Sequence, residues 1–382
     1  MTHGFAAERV QTDRPGPDLL LIGAILLLLG VGVSMLFTSS YVKASQYYGD
    51  PLHFLRRQLI PLVLGLIGGS VAAHVSLKLI QKWMPAVVIL TVGIAILPFV
   101  PGIGQQYYGA SRWITVFGQS FQPSELVKLT IVLYLAFILS RKAESIEDPV
   151  NSLLPPVIIV AIFGTLVYLQ NDFSTAFFVV FVALVMFFIA DVPMQYFVGL
   201  GFMTIPLAVL LLLTREHRVR RILAFLDPER DPVGAGYQIL AAREALQYGS
   251  VWGVGVGRST KKLGGLPEAQ SDFVFAIVGE ELGFMGVVGV MALFVLFAVR
   301  GYQVAYRAQD RFVSYAAFGL TSSILLQALL NLAVVAGMVP ATGIPLPFFS
   351  AGGSSILIVL VMAGLLVNCS RRVSVQEEAK DG

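Results

Sequence analysis

"LLLIGAILLLLGVGVSMLFTS", residues 19 to 39, is an apolar run without a single charge. A helix rising about 1.5 Å per residue needs about 20 such residues to cross the roughly 30 Å hydrocarbon core of a bilayer, so this stretch sets the solvent of the fold. Apolar runs of similar length recur near 58–75, 84–101, 122–140, 152–170, 174–190, 196–214, 274–299, 313–336 and 353–369, those at 122–140 and 274–299 interrupted by ionisable residues. The composition agrees: 56 % of residues are hydrophobic and 13 % charged, with a mean hydropathy of +0.79, against roughly 25 % charged residues in a soluble domain. The sequence therefore predicts an all-α integral membrane protein of about ten transmembrane helices over residues 19–369, between tails at 1–18 and 370–382.

An even number of spans puts both termini on one side, and Lys and Arg in short loops mark that side as cytoplasmic. Arg9, Arg14, Lys78, Lys82, Arg141, Lys142, Arg300, Arg307, Arg311, Arg371, Arg372 and Lys380 fall there, whereas the opposite short connections hold only Lys43, Arg56, Arg57 and Arg112. The acids and prolines of residues 1–18 argue for a cytoplasmic tail and against a cleaved signal peptide. The lone Cys369 excludes an internal disulfide, and His3, His53, His74 and His217 show no ligand spacing, so no metal site is defined. Residues 215–273 form one long extracytoplasmic loop between spans seven and eight. Its first part, "REHRVRRILAFLDPERDP", suits a helix lying in the interface with its arginines at headgroup level.

Ionisable groups inside a span are costly, so each is a candidate for function. In "FQPSELVKL" Pro123 opens a helix, and Glu125 and Lys128 fall one turn apart, either as an ion pair that holds spans together or as part of the lining of an outward cavity. In "YLQNDFSTAFF", Asp172 or Ser174 is placed to cap the following helix. "GLPEAQSDFVFAIVGEELGFMG", residues 265 to 286, collects Glu268, Asp272, Glu280 and Glu281. Asp272 opens span eight, as a cap or as a carboxylate facing water. Glu280 lies about 12 Å deeper by helical rise, which suits a partner of intramembrane donors rather than of the same small molecule. The glycines of "GVGVGRSTKK" lack P-loop spacing and instead shape a turn that brings Arg258, Lys261 and Lys262 to the lipid surface. "GIPLPFFSAGGSS", residues 343 to 355, is irregular backbone at membrane depth, tolerated only inside protein or beside a watery cavity. A basic outer loop, a superficial carboxylate and a polar cavity together suit an amphiphile with an anionic headgroup, such as a lipid-linked diphosphate. Arginines can neutralise that leaving group while a carboxylate takes a proton from an attacking hydroxyl.

With "GASRWI", "FQPSELVKL", "QNDFSTA", "FLDPERDPVGAGYQ", "LPEAQSDFVFAIVGEELG" and "NLAVVAGMVPATGIPLPFFSAGGSS" in this order, the chain resembles the SEDS family (shape, elongation, division and sporulation) over nearly its whole length. The resemblance implies ten spans, cytoplasmic termini in the inner membrane of a bacterium, and a glycosyltransferase that polymerises lipid II and releases undecaprenyl diphosphate. It implies Asp272 as the general base on the acceptor 4-hydroxyl, and a substrate cavity drawing on Glu125, Lys128, Asp172, Arg112, Glu268, Arg258, Lys261 and Ser354. It also implies a helper divalent cation, Mg or Mn, a class B penicillin-binding protein as transpeptidase partner, and contacts with divisome or elongasome membrane proteins. No nucleic acid is implied. "GVGVGRSTKK" and "FAIVGEELG" look closer to the division branch, FtsW, and "GIPLPFFS" closer to the elongation branch, RodA. Ser111, Asn171, Ser271 and Ala351 depart from the family pattern, the first by removing an arginine beside Arg112. A lipid II flippase also fits many polar residues within ten spans, although no inverted repeat is visible, and a scaffold fits the spans but leaves Asp272 without a use.

Overall fold

The structure, a computed structural model, describes residues 16–107, 110–116, 118–142, 149–231, 234–260 and 271–381. Its twelve α-helices are α1 (Leu19–Tyr48), α2 (His53–Ala72), α3 (Leu77–Ile96), α4 (Pro123–Lys142), α5 (Pro149–Leu169), α6 (Phe173–Ile189), α7 (Met194–Leu213), α8 (Glu216–Leu226), α9 (Ala235–Gly249), α10 (Val274–Arg307), α11 (Arg311–Val335) and α12 (Gly353–Asp381). Eight of them, α1 to α4, α7 and α10 to α12, are long and apolar enough to cross a membrane. The apolar parts of α5 and α6 are shorter, Leu153–Leu169 and Phe173–Ile189. The helices α8 and α9 lie in the long connection between α7 and α10.

Burial sorts the bundle into an interior and a rim. The membrane segments of α4 and α12 are mostly buried, whereas α7 has no buried residue and presents Phe202, Met203 and Leu210 outward. Large apolar side chains on the outside are what a lipid solvent permits, and between helices it leaves close packing and hydrogen bonds to supply the attraction. The contact of α2 with α12 shows this at Gly65, Gly69 and Gly364. A side-chain carbon on Gly364 would collide with the Gly69 carbonyl, and one on Gly69 with the Leu360 carbonyl. Below this contact, Asn368 Nδ2 donates to the carbonyls of Ala72 and Val75, each at 2.7 Å, where α2 ends.

At the end of the bundle where α1 begins, Asp18 caps α1 by accepting from Leu21 N–H at 3.0 Å, and it also takes the Arg300 guanidinium at 2.6 Å. The Asp18 N–H donates to Ser370 Oγ, so this one residue joins α1, α10 and α12.

At the other end, residues that read as a plain connection form an antiparallel meander, β1 (Gly104–Tyr107), β2 (Ala110–Val116) and β3 (Gln119–Phe121), with Ile114 opposite Phe121. The turn into β3 holds Gly118 at φ 76°, a conformation glycine takes without steric cost.

Two further irregularities set the stage for the site. Helix α10 breaks at Gly283 (φ 67°, ψ −167°) into a short upper piece beginning at Val274 and a long lower one. The chain between α11 and α12 stays non-helical over residues 336–352 yet is buried at Ile344, Leu346, Phe348 and Phe349. Its carbonyls are met by side-chain amides: Ile344 O by Asn331 at 3.0 Å, Pro345 O by Gln327 at 2.8 Å, and Ser350 O by Gln58 at 3.2 Å. Irregular backbone survives at this depth because protein groups, in place of water, satisfy it.

Candidate active site

A cavity of about 660 Å³ opens at the sheet-bearing end, within the size range of small-molecule sites. Its wall combines Arg57, Gln58 and Pro61 of α2, Arg112 and Trp113 of β2, Gln119 and Ser120 of β3, Gln122, Arg221 of α8, Asp272, Asn331 of α11, and Gly343 with Gly352–Ser355 around the start of α12. Among the described residues, the charged groups of this wall are three guanidiniums, those of Arg57, Arg112 and Arg221, and one carboxylate, Asp272.

Asp272 stands just before the upper piece of α10, half-buried, with its side chain in the cavity wall. Its backbone is fixed from beneath: Asn331 Nδ2 donates to Asp272 O at 2.9 Å while also holding Ile344 O. Gly343, at φ 71°, passes close beside the carboxylate, since a side-chain carbon there would lie 3.6 Å from Asp272 Oδ2. α10 starts without a side-chain cap hydrogen bond.

Glu125 and Lys128 form an ion pair at 2.9 Å with both side chains almost fully buried, and they are not part of the cavity wall. Lys128 Nζ donates to Gln327 Oε1 at 2.7 Å, and Gln327 passes the connection on to the Pro345 carbonyl. The pair is thereby joined to the buried segment under the site. Asp172 caps α6 by accepting from Thr175 N–H at 3.2 Å, as a capping position should. It also accepts from Gln122 Nε2 at 2.8 Å, and Gln122 does line the cavity.

Ser354 lines the cavity at the start of α12, and its buried Oγ has no hydrogen-bond partner. Arg258 is exposed on the 250–260 turn and is not part of the cavity wall. Glu268 and Lys261 fall in 261–270, outside the described residues.

Helix α8 differs from a simple interfacial helix with all its cations at headgroup level. Arg218 turns inward, stacked 4.9 Å from the Tyr168 ring and 5.1 Å from Phe173, and donates to Leu211 O at 2.7 Å. Arg221 reaches the cavity and donates to Ala341 O at 3.4 Å. Its side chain still contacts solvent by area, but the concave wall crowds it. Desolvation and then the neighbouring Arg112 press its pKa below the ordinary guanidinium value, while Asp272 and Asp172 act the other way.

The carboxylates deeper in α10 have a separate use. Glu280 accepts from Ser259 Oγ, from Thr260 N–H at 2.8 Å and from Thr260 Oγ1 at 3.0 Å, and Glu281 accepts from Ser259 N–H at 3.4 Å. Around the break at Gly283, Val254 N–H and Gly255 N–H bond to the carbonyls of Glu280 and Glu281, while Phe284 N–H and Met285 N–H bond to those of Ser250 and Val251. The 250–260 turn, with Gly253, Gly255 and Gly257 at positive φ, is thus plugged into the helix below Asp272.

Arg57, Arg221, Gln327 and Asn331 were not singled out by the sequence reading as site residues. Gln327 and Asn331 carried a usable signal, two amides four residues apart on one face of an apolar helix. For a divalent cation, the described wall offers one carboxylate against three guanidiniums, and no group of three His, Cys, Asp or Glu comes together among the described residues. That donor set does not fit such an ion.

The sequence profile of the FtsW/RodA/SpoVE cell cycle proteins matches residues 18–375. A probable peptidoglycan glycosyltransferase FtsW of Geobacter sp. (strain M18) is 39 % identical over 358 residues, covering 94 % of this chain and 98 % of that protein. The stage V sporulation protein E of Bacillus subtilis (strain 168) is 36 % identical over 362 residues, 95 % of this chain and 99 % of that protein. Among solved structures, a chain from a peptidoglycan synthase complex that coordinates polymerization and crosslinking superposes with a TM-score of 0.74 at 27 % identity, over 94 % of this chain and 98 % of that one. The rod shape determining protein RodA of Thermus thermophilus shares the fold, with a TM-score of 0.68 at 24 % identity over 93 % of this chain and 97 % of that one. With its profile matched almost from end to end and its bundle superposing on both structures, the chain belongs to the FtsW/RodA/SpoVE family of cell cycle proteins.

Proposed function

We propose that this chain is a peptidoglycan glycosyltransferase of the FtsW kind, polymerising lipid II for cell division. The observation that carries the reading is Asp272: the sole carboxylate among the described residues of the cavity wall, set among guanidiniums and held by Asn331. In the reaction, the acceptor 4-hydroxyl oxygen attacks the anomeric carbon of the donor sugar. Its proton passes to Asp272, the bond from that carbon to the diphosphate oxygen breaks with inversion, and the lipid diphosphate leaves. The relatives named FtsW support the division role. The likeness to a complex that couples polymerization with crosslinking supports a crosslinking transpeptidase, a class B penicillin-binding protein, as partner. Lys78, Lys82, Arg300, Arg307, Arg371 and Arg372 all lie towards the end opposite the cavity, which supports a cytosolic face there and a cavity facing outward from the cytoplasmic membrane.

The test is polymerisation of lipid II by the purified chain together with its transpeptidase partner. Asp272→Asn keeps the shape and removes the base, so glycan synthesis should fall by roughly 10²- to 10⁴-fold with little change in thermal stability. Equal polymer from both proteins defeats the assignment. Movement of lipid between leaflets without any lengthening of glycan identifies a flippase instead.

A further inference from the structure

The cavity carries more positive charge than Asp272 needs. Its described wall sets three guanidiniums against one carboxylate, a net charge of +2, and one arginine would suffice to neutralise the acid. A wall of that sign, in a site partly shielded from water, is suited to an anion with two charges.

One side of the cavity adds the N-terminus of a helix. Helix α12 begins at Gly353, and its first backbone bond runs from Ile356 N–H to Gly352 O. The amides of Gly353, Ser354 and Ser355 therefore precede any acceptor within the helix, at the positive end of its dipole. Beside them, the Ser354 hydroxyl is without a hydrogen-bond partner although the residue is only 3 % exposed. A buried hydroxyl left unsatisfied carries a desolvation cost that a ligand oxygen would remove. On the neighbouring α2, Arg57 of the same wall is steered by Ser120 Oγ, which accepts from its Nη2 at 3.2 Å. Arg112 of β2 likewise has a buried Nε with no partner. The Asp272 corner, built on Asn331 and Gly343, comes from different elements.

We propose that the first turn of α12, with Ser354, Arg57 and Arg112, is a diphosphate-binding subsite that holds the leaving group of the donor. In the intact donor the diphosphate is esterified at both ends and bears one negative charge on each phosphate, two in all against a net charge of +2 on the wall. Farnesyl diphosphate, esterified at one end, carries a further charge, and it is the second phosphate group, with its own set of donors, that separates it from the monophosphate. Backbone amides and a hydroxyl meet one phosphate at the helix N-terminus, and the forked guanidiniums meet the other. The proposal rests on the glycosyltransferase reading for the identity of the ligand, but the subsite is testable without catalysis.

The experiment measures binding of farnesyl diphosphate, farnesyl monophosphate and inorganic pyrophosphate to the full chain in detergent by titration calorimetry. Ser354→Ala and Arg57→Gln should each weaken farnesyl diphosphate roughly tenfold, as expected for loss of one hydrogen bond to a charged group. Asp272→Asn should bind it as well as the unaltered chain or better, since it loses a like charge. The monophosphate should bind more weakly throughout, and added salt should weaken the diphosphate most. Farnesyl diphosphate binding tighter than pyrophosphate makes the lipid-linked form the ligand. Equal binding makes the bare diphosphate the recognised group. Both uphold the subsite.

Unchanged affinity in both Ser354→Ala and Arg57→Gln overturns the proposal, as does equal affinity for the monophosphate. Arg57 is exposed, so its variant reports on binding even if Ser354→Ala lowers stability. If glycan is made in an Asp272-dependent way but both variants bind normally, the subsite falls and the polymerase reading stands. If diphosphate binding follows the prediction while no glycan forms, the subsite stands and the polymerase reading falls.

Discussion

At the scale of single residues, the site depends on groups that never face the cavity as well as on those that do. Asn331 spends one amide nitrogen on two carbonyls, those of Asp272 and Ile344. Asn331→Ala removes the amide donor from both acceptors and should cost about 1–3 kcal/mol of stability along with activity. Asn331→Asp, which places an acceptor against acceptors, should be worse. Thermal unfolding of the two variants ranks them, and a milder aspartate would refute the role of the amide. The buried Glu125–Lys128 pair makes a different prediction. Glu125→Gln or Lys128→Met alone strands a charge and should cost about 3–5 kcal/mol, whereas the double variant should recover much of the loss. A double variant as unstable as the sum of the singles would show that the charges act elsewhere. The capping role of Asp172 was legible in sequence because a carboxylate before an apolar run has a local meaning. The second partner of Lys128, by contrast, lies 199 positions away in Gln327, and no local pattern announces it.

At the scale of elements, the break in α10 ties the long connection to the helix that carries Asp272. Gly283 sits at φ 67° against the backbone of Gly253, so Gly283→Ala meets both torsional strain and collision and should cost at least about 1–3 kcal/mol. Limited proteolysis should show earlier cutting within residues 250–260 in this variant, and an unchanged cutting pattern would count against the plug. Glu280→Gln keeps one acceptor for Thr260 and can donate to Ser259, so it should protect the turn better than Glu280→Ala.

Helix α8 offers a pH test. Desolvation first, and then Arg218, Arg221 and Arg215, hold the His217 pKa below its ordinary 6.5. With a depressed value in the folded state, the contribution to stability is complete above the ordinary value and declines as pH falls through the window below it. An NMR titration of labelled histidines should find His217 titrating below 6.5, and a normal or raised value would exclude the crowded position of α8. The apolar periodicity of the spans made most of these helices readable, but the sheet of residues 104–121 was read as a connector. Its strands are short, and their pairing, such as Gln105 with Trp113, is a contact between segments rather than a property of either.

At the scale of the whole molecule, two kinds of adhesion hold the bundle in a solvent that offers no hydrophobic drive between helices. Glycines bring α2 and α12 into backbone contact, and amide side chains of α2 and α11 hold the buried segment that leads into α12. Because Arg57 and Ser354 sit on these two helices, their separation fixes one side of the cavity. Gly364→Leu should push α12 away from α2 and lower both stability and polymerisation, while Leu207→Ala on the exposed face of α7 should leave stability nearly unchanged. Thermal unfolding in detergent compares them, and equal losses would mean that the glycine contact does not organise the bundle.

The amino-acid sequence alone determined that the chain lives in lipid, because charge-free runs of this length are stable only there. It also marked Glu125 and Lys128, because ionisable groups inside a span are too costly to be incidental, Asp272 and Asp172 as carboxylates where spans begin, and, through the family resemblance, Ser354. Only the tertiary structure decided which of these share a cavity. Asp272, Arg57, Arg112, Arg221 and Ser354 meet there from separate elements, while Glu125 and Lys128 are drawn under the floor and Glu280 and Glu281 into the broken helix. The physical reason is that periodicity along a helix fixes a residue's depth and face, but which faces turn towards one another depends on close packing between segments hundreds of residues apart.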